Sequence, residues 1–212
     1  MNNLESLLLA EIDTLQSKMY KCKTIHLRYS MTNDHIDFLR RYSILGIYAE
    51  WEGFLKKSIT LYLQEINREK LSFSSLNENY ISYQTDNFIK FKQPKTNFKT
   101  ITKLSNDLYK MYQEPVIFNT SVNTESNANL SIANSILEKL CLEPLDEKSY
   151  KIPLDRLLRF RNAIAHGEEG IPVTQKDVDS FTLLVQNLAI DIVSAISKGY
   201  QDKVYLARSS SK

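Results

Sequence analysis

The amino-acid sequence predicts an all-α fold, a helical bundle in which one long, buried helix is the central element. Apolar side chains recur at helical spacing over most of the chain. Only five Gly and five Pro occur in 212 residues, which leaves few positions for tight turns. Hydrophobic residues make up 42% and charged residues 25% of the chain, the composition of a globular domain rather than of a disordered segment.

The first helix is predicted over residues 4–27, where it covers the core. His26 falls near its end among basic residues, and we interpret it as a surface histidine. His35 follows a run of capping residues and receives the same interpretation. The apolar positions that predict this helix are Leu4, Leu7, Leu8, Ile12, Leu15 and Met19.

The second helix is predicted over residues 34–69 and is the central element of the bundle. Its middle, residues 44–55, is apolar on nearly every side apart from Glu50 and Glu52. Because a helix of that kind is buried all round, we expect Trp51 in the core rather than on a stacking surface.

Residues 71–126 form a predicted irregular insertion within a single domain that spans residues 1–212. The apolar periodicity weakens there and Asn, Ser and Thr become dense, so we expect one short helix at about residues 104–112. Residues 88–99 mix Lys with aromatic side chains, as single-stranded nucleic acid binders do for phosphate contact and base stacking. The simpler interpretation, which we favour, is a solvated loop whose Phe side chains turn inward. The RNA-binding candidates are Lys90, Lys92, Lys95 and Lys99.

Three further helices are predicted in the second half of the chain. One covers residues 129–140 and precedes a turn marked by Pro144. The next begins directly after Pro153, because Pro is well tolerated in the first turn of a helix. The last begins after Thr174 as its N-cap and ends at Gly199.

Residues 154–170 are the most informative stretch, because they place an arginine on an apolar helix face. At about 100° per residue, Arg161 falls in the middle of that face. A guanidinium there needs a partner, for which Glu50, Glu52 and Asp155 are the candidates; we prefer Glu52. The apolar positions of this face are Leu154, Leu157, Leu158, Ile164 and Ala165.

An adjacent face of the same helix is polar. Asn162 and His166 are four residues apart, close enough for the amide to orient the imidazole or to share a ligand with it. Gly167 is a natural stop, which leaves His166 at the rim of the helix end. Glu168 and Glu169 are interpreted as solvated acids, with an effect on the pKa of His166 or a contact with a partner subunit as the alternatives. The polar face consists of Asp155, Arg159, Asn162 and His166.

The segment RNAIAH, residues 161–166, resembles the motif of the HEPN superfamily of small helical domains, an Arg-x4-His pattern with a polar residue after the Arg. Residues 48–56, YAEWEGFLK, resemble the WEGF helix of the bacterial MAE-type branch of HEPN-like nucleases. The likeness covers most of the chain and is strongest near residues 40–70 and 130–195. It implies an up-and-down helical core and a metal-independent endoribonuclease site shared by a homodimer, with Arg161, Asn162 and His166 in the motif positions.

The residue types suit that chemistry. RNA carries its own nucleophile, the 2′-hydroxyl, so cleavage needs a base, an acid and a cation for the developing charge, without a metal or cofactor. His166 suits the proton transfers and Arg161 the charge, with Arg159, Glu52 and Glu168 in support. One chain offers only one plausible catalytic histidine, which favours a two-fold dimer that places two motif helices in one cleft.

Two other functions stay open from the sequence. One is a non-catalytic HEPN module that binds a nucleotide or RNA, or that pairs with an antitoxin which modifies it. In the branch modified by nucleotidyl transfer the resemblance would place a tyrosine two residues after the His, and Glu168 stands there instead. The other is a helical scaffold. A toxin or phage-defence setting is implied by the resemblance alone.

Composition adds little about partners but something about compartment. The net charge of +2 is too small to indicate nucleic acid, so any basic surface must be local. Cys22 and Cys141 form no spaced pattern, which fits a reducing compartment and predicts no zinc cluster. No secretion signal and no uncharged stretch of membrane-spanning length are evident, so we expect a cytoplasmic protein without a membrane partner.

Overall fold

A computed structural model describes residues 3–88, 97–125, 127–168 and 170–207. These residues contain seven α-helices, two short 3₁₀ helices at Ile25–Leu27 and Phe73–Ser75, and one isolated bridge between Leu76 and Leu206. The all-α class is therefore confirmed. The α-helices are α1 (Asn3–Thr24), α2 (Asn33–Arg68), α3 (Glu78–Phe88), α4 (Phe98–Gln113), α5 (Leu130–Lys139), α6 (Glu147–Ala165) and α7 (Gln175–Gln201).

Helix α2 is the centre of the bundle, as predicted, and packs against α1, α6 and α7. Ile47, Trp51 and Leu55 have no exposed surface, because three helices pack around α2. One face of α2 nevertheless stays outside. Ala49 and Gly53 are exposed on it, so the expectation of burial on all sides is wrong for this narrow stripe.

Residues 116–125 and 127–128, which belong to no helix, lie along α2, and side chains of α2 satisfy part of their backbone. Asn67 donates to the carbonyl of Phe118 at 3.0 Å and accepts from its amide at 2.7 Å. Thr60 donates to the carbonyl of Thr120 at 2.9 Å. Because no helix or sheet pairs these backbone groups, the polar side chains of α2 fix this segment to the core.

The predicted insertion contains more helix than expected. Helix α4 covers all of residues 98–113, capped by the side chain of Asn97, where one short helix was predicted. Helix α3 was missed because its buried side chains include the polar-tipped Tyr80 and Gln84, which leave a weak apolar pattern. The single-domain assignment with an insertion at residues 71–126 stays a prediction.

Several predicted helix ends are wrong. Helix α1 ends at Thr24 and continues as a 3₁₀ helix. Pro153 lies inside α6, which begins six residues earlier, where the Asp146 carboxylate accepts from the amides of Lys148 and Ser149. Gly199 lies inside α7; a Cβ there would collide with Leu142, so the glycine permits close packing and is not a stop.

His26 is buried, with 1% of its surface exposed, which corrects its assignment to the surface. The 3₁₀ helix turns the imidazole inward, toward the start of α2 and of α7. Burial, and then the charge of Arg40, lower the pKa of His26 below its ordinary value. His35 is exposed, as expected.

Helix α7 is long and apolar enough, by length and composition alone, to cross a membrane. Within the bundle, 56% of its apolar window is buried. Its apolar stripe is what a core helix packed on α1 and α2 needs.

The start of α7 is held by a capping box, which confirms Thr174 as the N-cap. Thr174 donates through its hydroxyl and its amide to the Asp177 carboxylate, at 2.5 and 2.9 Å, and Arg156 of α6 also bonds that carboxylate. Burial raises the pKa of Asp177, but these bonds outweigh it and leave the pKa below its ordinary value.

Replacement of Asp177 by Asn is expected to lower the free energy of unfolding at neutral pH, on the order of 1 kcal/mol. A depressed folded-state pKa stabilises the wild type above the unfolded-state pKa, and this stabilisation is lost as the pH falls through the folded-state value. Urea titrations between neutral pH and pH below the ordinary aspartate pKa measure this slope. The Asn variant should show a shallower decline, and an identical slope in both proteins would contradict the assignment.

Candidate functional site

The motif helix α6 buries most of its predicted apolar face. Leu154, Leu157, Leu158 and Ile164 are all buried, as expected. Ala165, the last residue of the helix, is exposed instead. The exposed end of α6 therefore begins at Ala165.

The end of α6 has a defined geometry that fixes the backbone of His166. The Gly167 amide donates to the Ile164 carbonyl at 3.1 Å, and the Glu168 amide to the Ala163 carbonyl at 2.9 Å. This is a Schellman motif with His166 as the C-cap and Gly167 in the left-handed region at φ +77°. The exposed imidazole of His166 is thus carried on a rigid helix end, as the sequence predicted.

Arg41 of α2 holds the turn that follows His166. Its guanidinium donates to the carbonyl of Ile171 at 3.0 Å and to the carbonyl of Glu168. Sequence reasoning missed this residue. The available signal was its position seven residues before Tyr48, which places both on the face of α2 that meets α6.

Arg161 is half-buried, whereas His166 is exposed. The guanidinium carbon of Arg161 lies 4.0 Å from the centroid of the Tyr48 ring, a close cation–π contact. Tyr48 is 5% exposed, and its hydroxyl accepts from the amide of Ala128 at 2.8 Å. The Ala128 amide therefore fixes the Tyr48 ring, and that ring supports the half-buried guanidinium of Arg161.

The predicted ion pair between Arg161 and Glu52 is not formed, and this corrects the assignment. The Glu52 carboxylate accepts from Lys56 and from Thr124, each at 2.6 Å. Burial raises the pKa of Glu52, but these bonds outweigh it and hold the pKa below the ordinary value. Glu50, the other candidate on α2, pairs with Lys18 at 2.8 Å.

An open pocket of about 460 Å³ lies along the polar face of α6. Asp155, Arg159 and Asn162 line it, which confirms that these three side chains share one face. Glu168 joins them from the turn after the helix. Leu158, Ala163 and Ile171 complete the lining. The pocket thus offers amide, guanidinium and carboxylate groups beside the helix end.

The two motif residues with predicted chemical roles, Arg161 and His166, occupy different positions around the end of α6. Neither Arg161 nor His166 belongs to the lining of this pocket. Five residues separate them, which corresponds to roughly 140° around a helix axis. Asn162 is joined to His166 through the backbone, where the His166 amide donates to the Asn162 carbonyl at 3.0 Å, and not through the predicted side-chain contact.

The basic segment at residues 88–99 is described only in part. Lys99 is exposed in the first turn of α4, next to Phe98, which is 83% exposed. Lys90, Lys92 and Lys95 lie outside the described residues. Their assignment to RNA binding stays a prediction.

A helical bundle that carries an Arg-x4-His motif at the capped end of a core helix fits an HEPN-type domain. The family model described as HEPN_MAE_28990-like HEPN matches residues 4–205. The chain belongs to this family, which confirms the resemblance to the MAE-type branch. HEPN domains are often ribonucleases, and the superfamily also includes nucleotide-binding domains. No curated protein and no solved structure matches the chain.

Replacement of Gly167 by Ala tests the helix cap. A Cβ there meets no atom within 4 Å, so the cost comes only from the positive φ, about 1 kcal/mol of unfolding free energy. The same change at Gly53, which has equally open surroundings but ordinary helical backbone, is the matched control. Urea unfolding should show a loss for Gly167→Ala and a small gain for Gly53→Ala; equal effects would contradict the role of the cap.

Proposed function

We propose that this chain is a metal-independent endoribonuclease whose site is shared by two subunits of a homodimer. The observation that carries the proposal is the exposed His166 at the capped end of α6, about 140° around the helix from the half-buried Arg161. Since the reaction needs both a base and an acid and each subunit supplies one His166, a two-fold partner that apposes the α6 ends is the simplest way to bring both groups into one cleft.

The chemistry follows from the residue types. One His166 accepts the proton of the 2′-hydroxyl, and the 2′-oxygen attacks the adjacent phosphorus. The bond from phosphorus to the 5′-oxygen breaks, and the partner's His166 donates a proton to that leaving oxygen. Arg161 stabilises the negative charge on the phosphorane oxygens. The products are a 2′,3′-cyclic phosphate and a free 5′-hydroxyl.

The pocket beside α6 has a positioning role in this proposal. Asn162 and Arg159 donate hydrogen bonds to the phosphate and ribose next to the scissile bond. The Glu168 carboxylate lies on the far wall of the pocket, where it repels a phosphate and so limits the positions that the substrate can take. Tyr48 keeps the Arg161 guanidinium oriented, because the ring fixes the plane of the cation before substrate arrives.

Cleavage of a ribo-oligonucleotide by the purified protein in EDTA tests the proposal. We expect products that end in 2′,3′-cyclic phosphate, and no cleavage of the same sequence with 2′-O-methyl groups, because that substrate lacks the nucleophile. No cleavage of either substrate, or cleavage that needs added divalent metal, would contradict it.

The contact of Arg161 with Tyr48 favours a second candidate, a non-catalytic HEPN module. An arginine already stacked in its own subunit has a structural role without RNA, and the pocket along α6 then serves as a nucleotide or RNA site. Binding of an oligonucleotide without cleavage, unaffected by His166→Ala, would support this candidate over the nuclease.

We also propose a toxin or phage-defence role in the cytoplasm, regulated by an antitoxin protein. The support is membership in a superfamily that contains ribonucleases. Growth arrest on expression, relieved by His166→Ala, is the expected result. Unaltered growth at verified expression of the wild type would contradict a toxic activity.

A further inference from the structure

We infer that single-stranded RNA binds across the end of α1, the 3₁₀ helix Ile25–Leu27 and the first turns of α2, a surface we call the aromatic end. The inference rests on the proposed function, since it assigns where nucleotides beside the cleaved bond bind. This surface is separate from residues 88–99, whose predicted role in RNA binding is a different hypothesis.

Charge is the first observation. Of 27 basic and 25 acidic residues, six basic and two acidic lie between Lys18 and Arg41, so the rest of the chain carries a small excess of acids. Lys18, Lys23 and Arg40 pair with Glu50, Asp179 and Asp37, so the positive charge available to phosphates at this end comes from the other three basic residues. Arg28 and Lys21 form no ion pair with any described residue, so their charge is available to a ligand.

Exposed aromatic rings are the second observation. Tyr29 is 66% exposed, Phe38 56% and Tyr42 48%. The rings of Phe38 and Tyr42 lie 4.4 Å apart between centroids at an angle of 35°, one helical turn apart on the outer face of α2. Arg28 lies 5.7 Å from the ring centroid of Tyr20. Flat, solvent-facing rings beside guanidinium groups are suited to stacking unpaired bases, and this stacking does not depend on the RNA sequence.

Position is the third observation. Arg41, adjacent to Tyr42 in the chain, bonds the carbonyls of Glu168 and Ile171 in the turn after His166. The outer face of α2 therefore begins next to the end of the motif helix. Ala49 and Gly53 continue that face without large side chains, which leaves an open path along α2. A strand with its scissile phosphate at His166 reaches Phe38 and Tyr42 within a few nucleotides.

The test is binding of a fluorescent, single-stranded 2′-O-methyl oligonucleotide, which binds without being cut, measured by anisotropy. The double variant Phe38→Ala/Tyr42→Ala is expected to raise the dissociation constant roughly tenfold or more, from the loss of one to two stacked bases. Tyr109→Ala, which removes a 65% exposed ring from α4, is the matched control and should bind like the wild type. Circular dichroism checks that both variants fold.

Several results would overturn the inference. These are unchanged binding by the double variant, equal weakening by Tyr109→Ala, no saturable binding by the wild type, or a fall in the light-scattering mass of the double variant, which would make the surface a contact between subunits. None of them depends on cleavage. Failure of the proposed function is seen separately, as a lack of cleaved ribo-oligonucleotide when binding persists.

Discussion

RNA cleavage in EDTA is expected to fall at least about a thousandfold when His166 is replaced by Ala, because general acid–base catalysis of both proton transfers is lost. Arg161→Ala should cost a similar factor through loss of charge stabilisation on the phosphorane. Arg161→Lys should recover little, since an ammonium does not reproduce the planar, forked donor set. The measurement is the rate of cleavage at saturating RNA.

A matched control accompanies these variants. Arg68→Ala removes an exposed arginine that pairs with Glu65. This variant should keep the wild-type rate at saturating RNA. A rate for His166→Ala equal to that of Arg68→Ala would show that the imidazole takes no part in the reaction.

Replacement of Trp51 by Ala is expected to lower the free energy of unfolding by about 3–5 kcal/mol. Trp51 has no exposed surface, and its indole donates to the Ala128 carbonyl at 2.7 Å. Truncation leaves both a large cavity and a buried carbonyl without its donor. Ala128 should then separate from α2, and the hydrogen bond between its amide and the Tyr48 hydroxyl should be lost.

Urea unfolding and amide hydrogen exchange measure this effect. Trp51→Phe should be intermediate, because the ring is retained and only the indole donor is lost. Tyr109→Ala on the exposed side of α4 should change the stability by no more than about 0.5 kcal/mol. A loss for Trp51→Ala near that of Tyr109→Ala would contradict the central position of α2.

Local features of the bundle were predictable from the sequence because their causes are local. The apolar middle of α2, the Thr174 cap and the Gly167 stop each follow from the pattern or from the backbone preference of one residue. The polar face of α6 followed in the same way, since Asp155, Arg159 and Asn162 are set by helical spacing alone.

Features that depend on distant contacts were not predictable. Glu52 pairs with Thr124, 72 residues away, which no charge pattern indicates. The support of Arg161 by an aromatic ring, and of the His166 turn by Arg41, both require the packing of α6 on α2. His26 looked like a surface residue because its neighbours in sequence are basic, whereas the 3₁₀ helix turns it inward.

Subunit mixing tests the shared site most directly. Wild-type and His166→Ala chains are unfolded, mixed in known ratios and refolded together, and the cleavage rate is measured for each ratio. If each site needs a His166 from both subunits, the rate per wild-type chain falls in proportion to the fraction of wild-type chains. If that rate stays constant across all ratios, each subunit works alone and the shared site is contradicted.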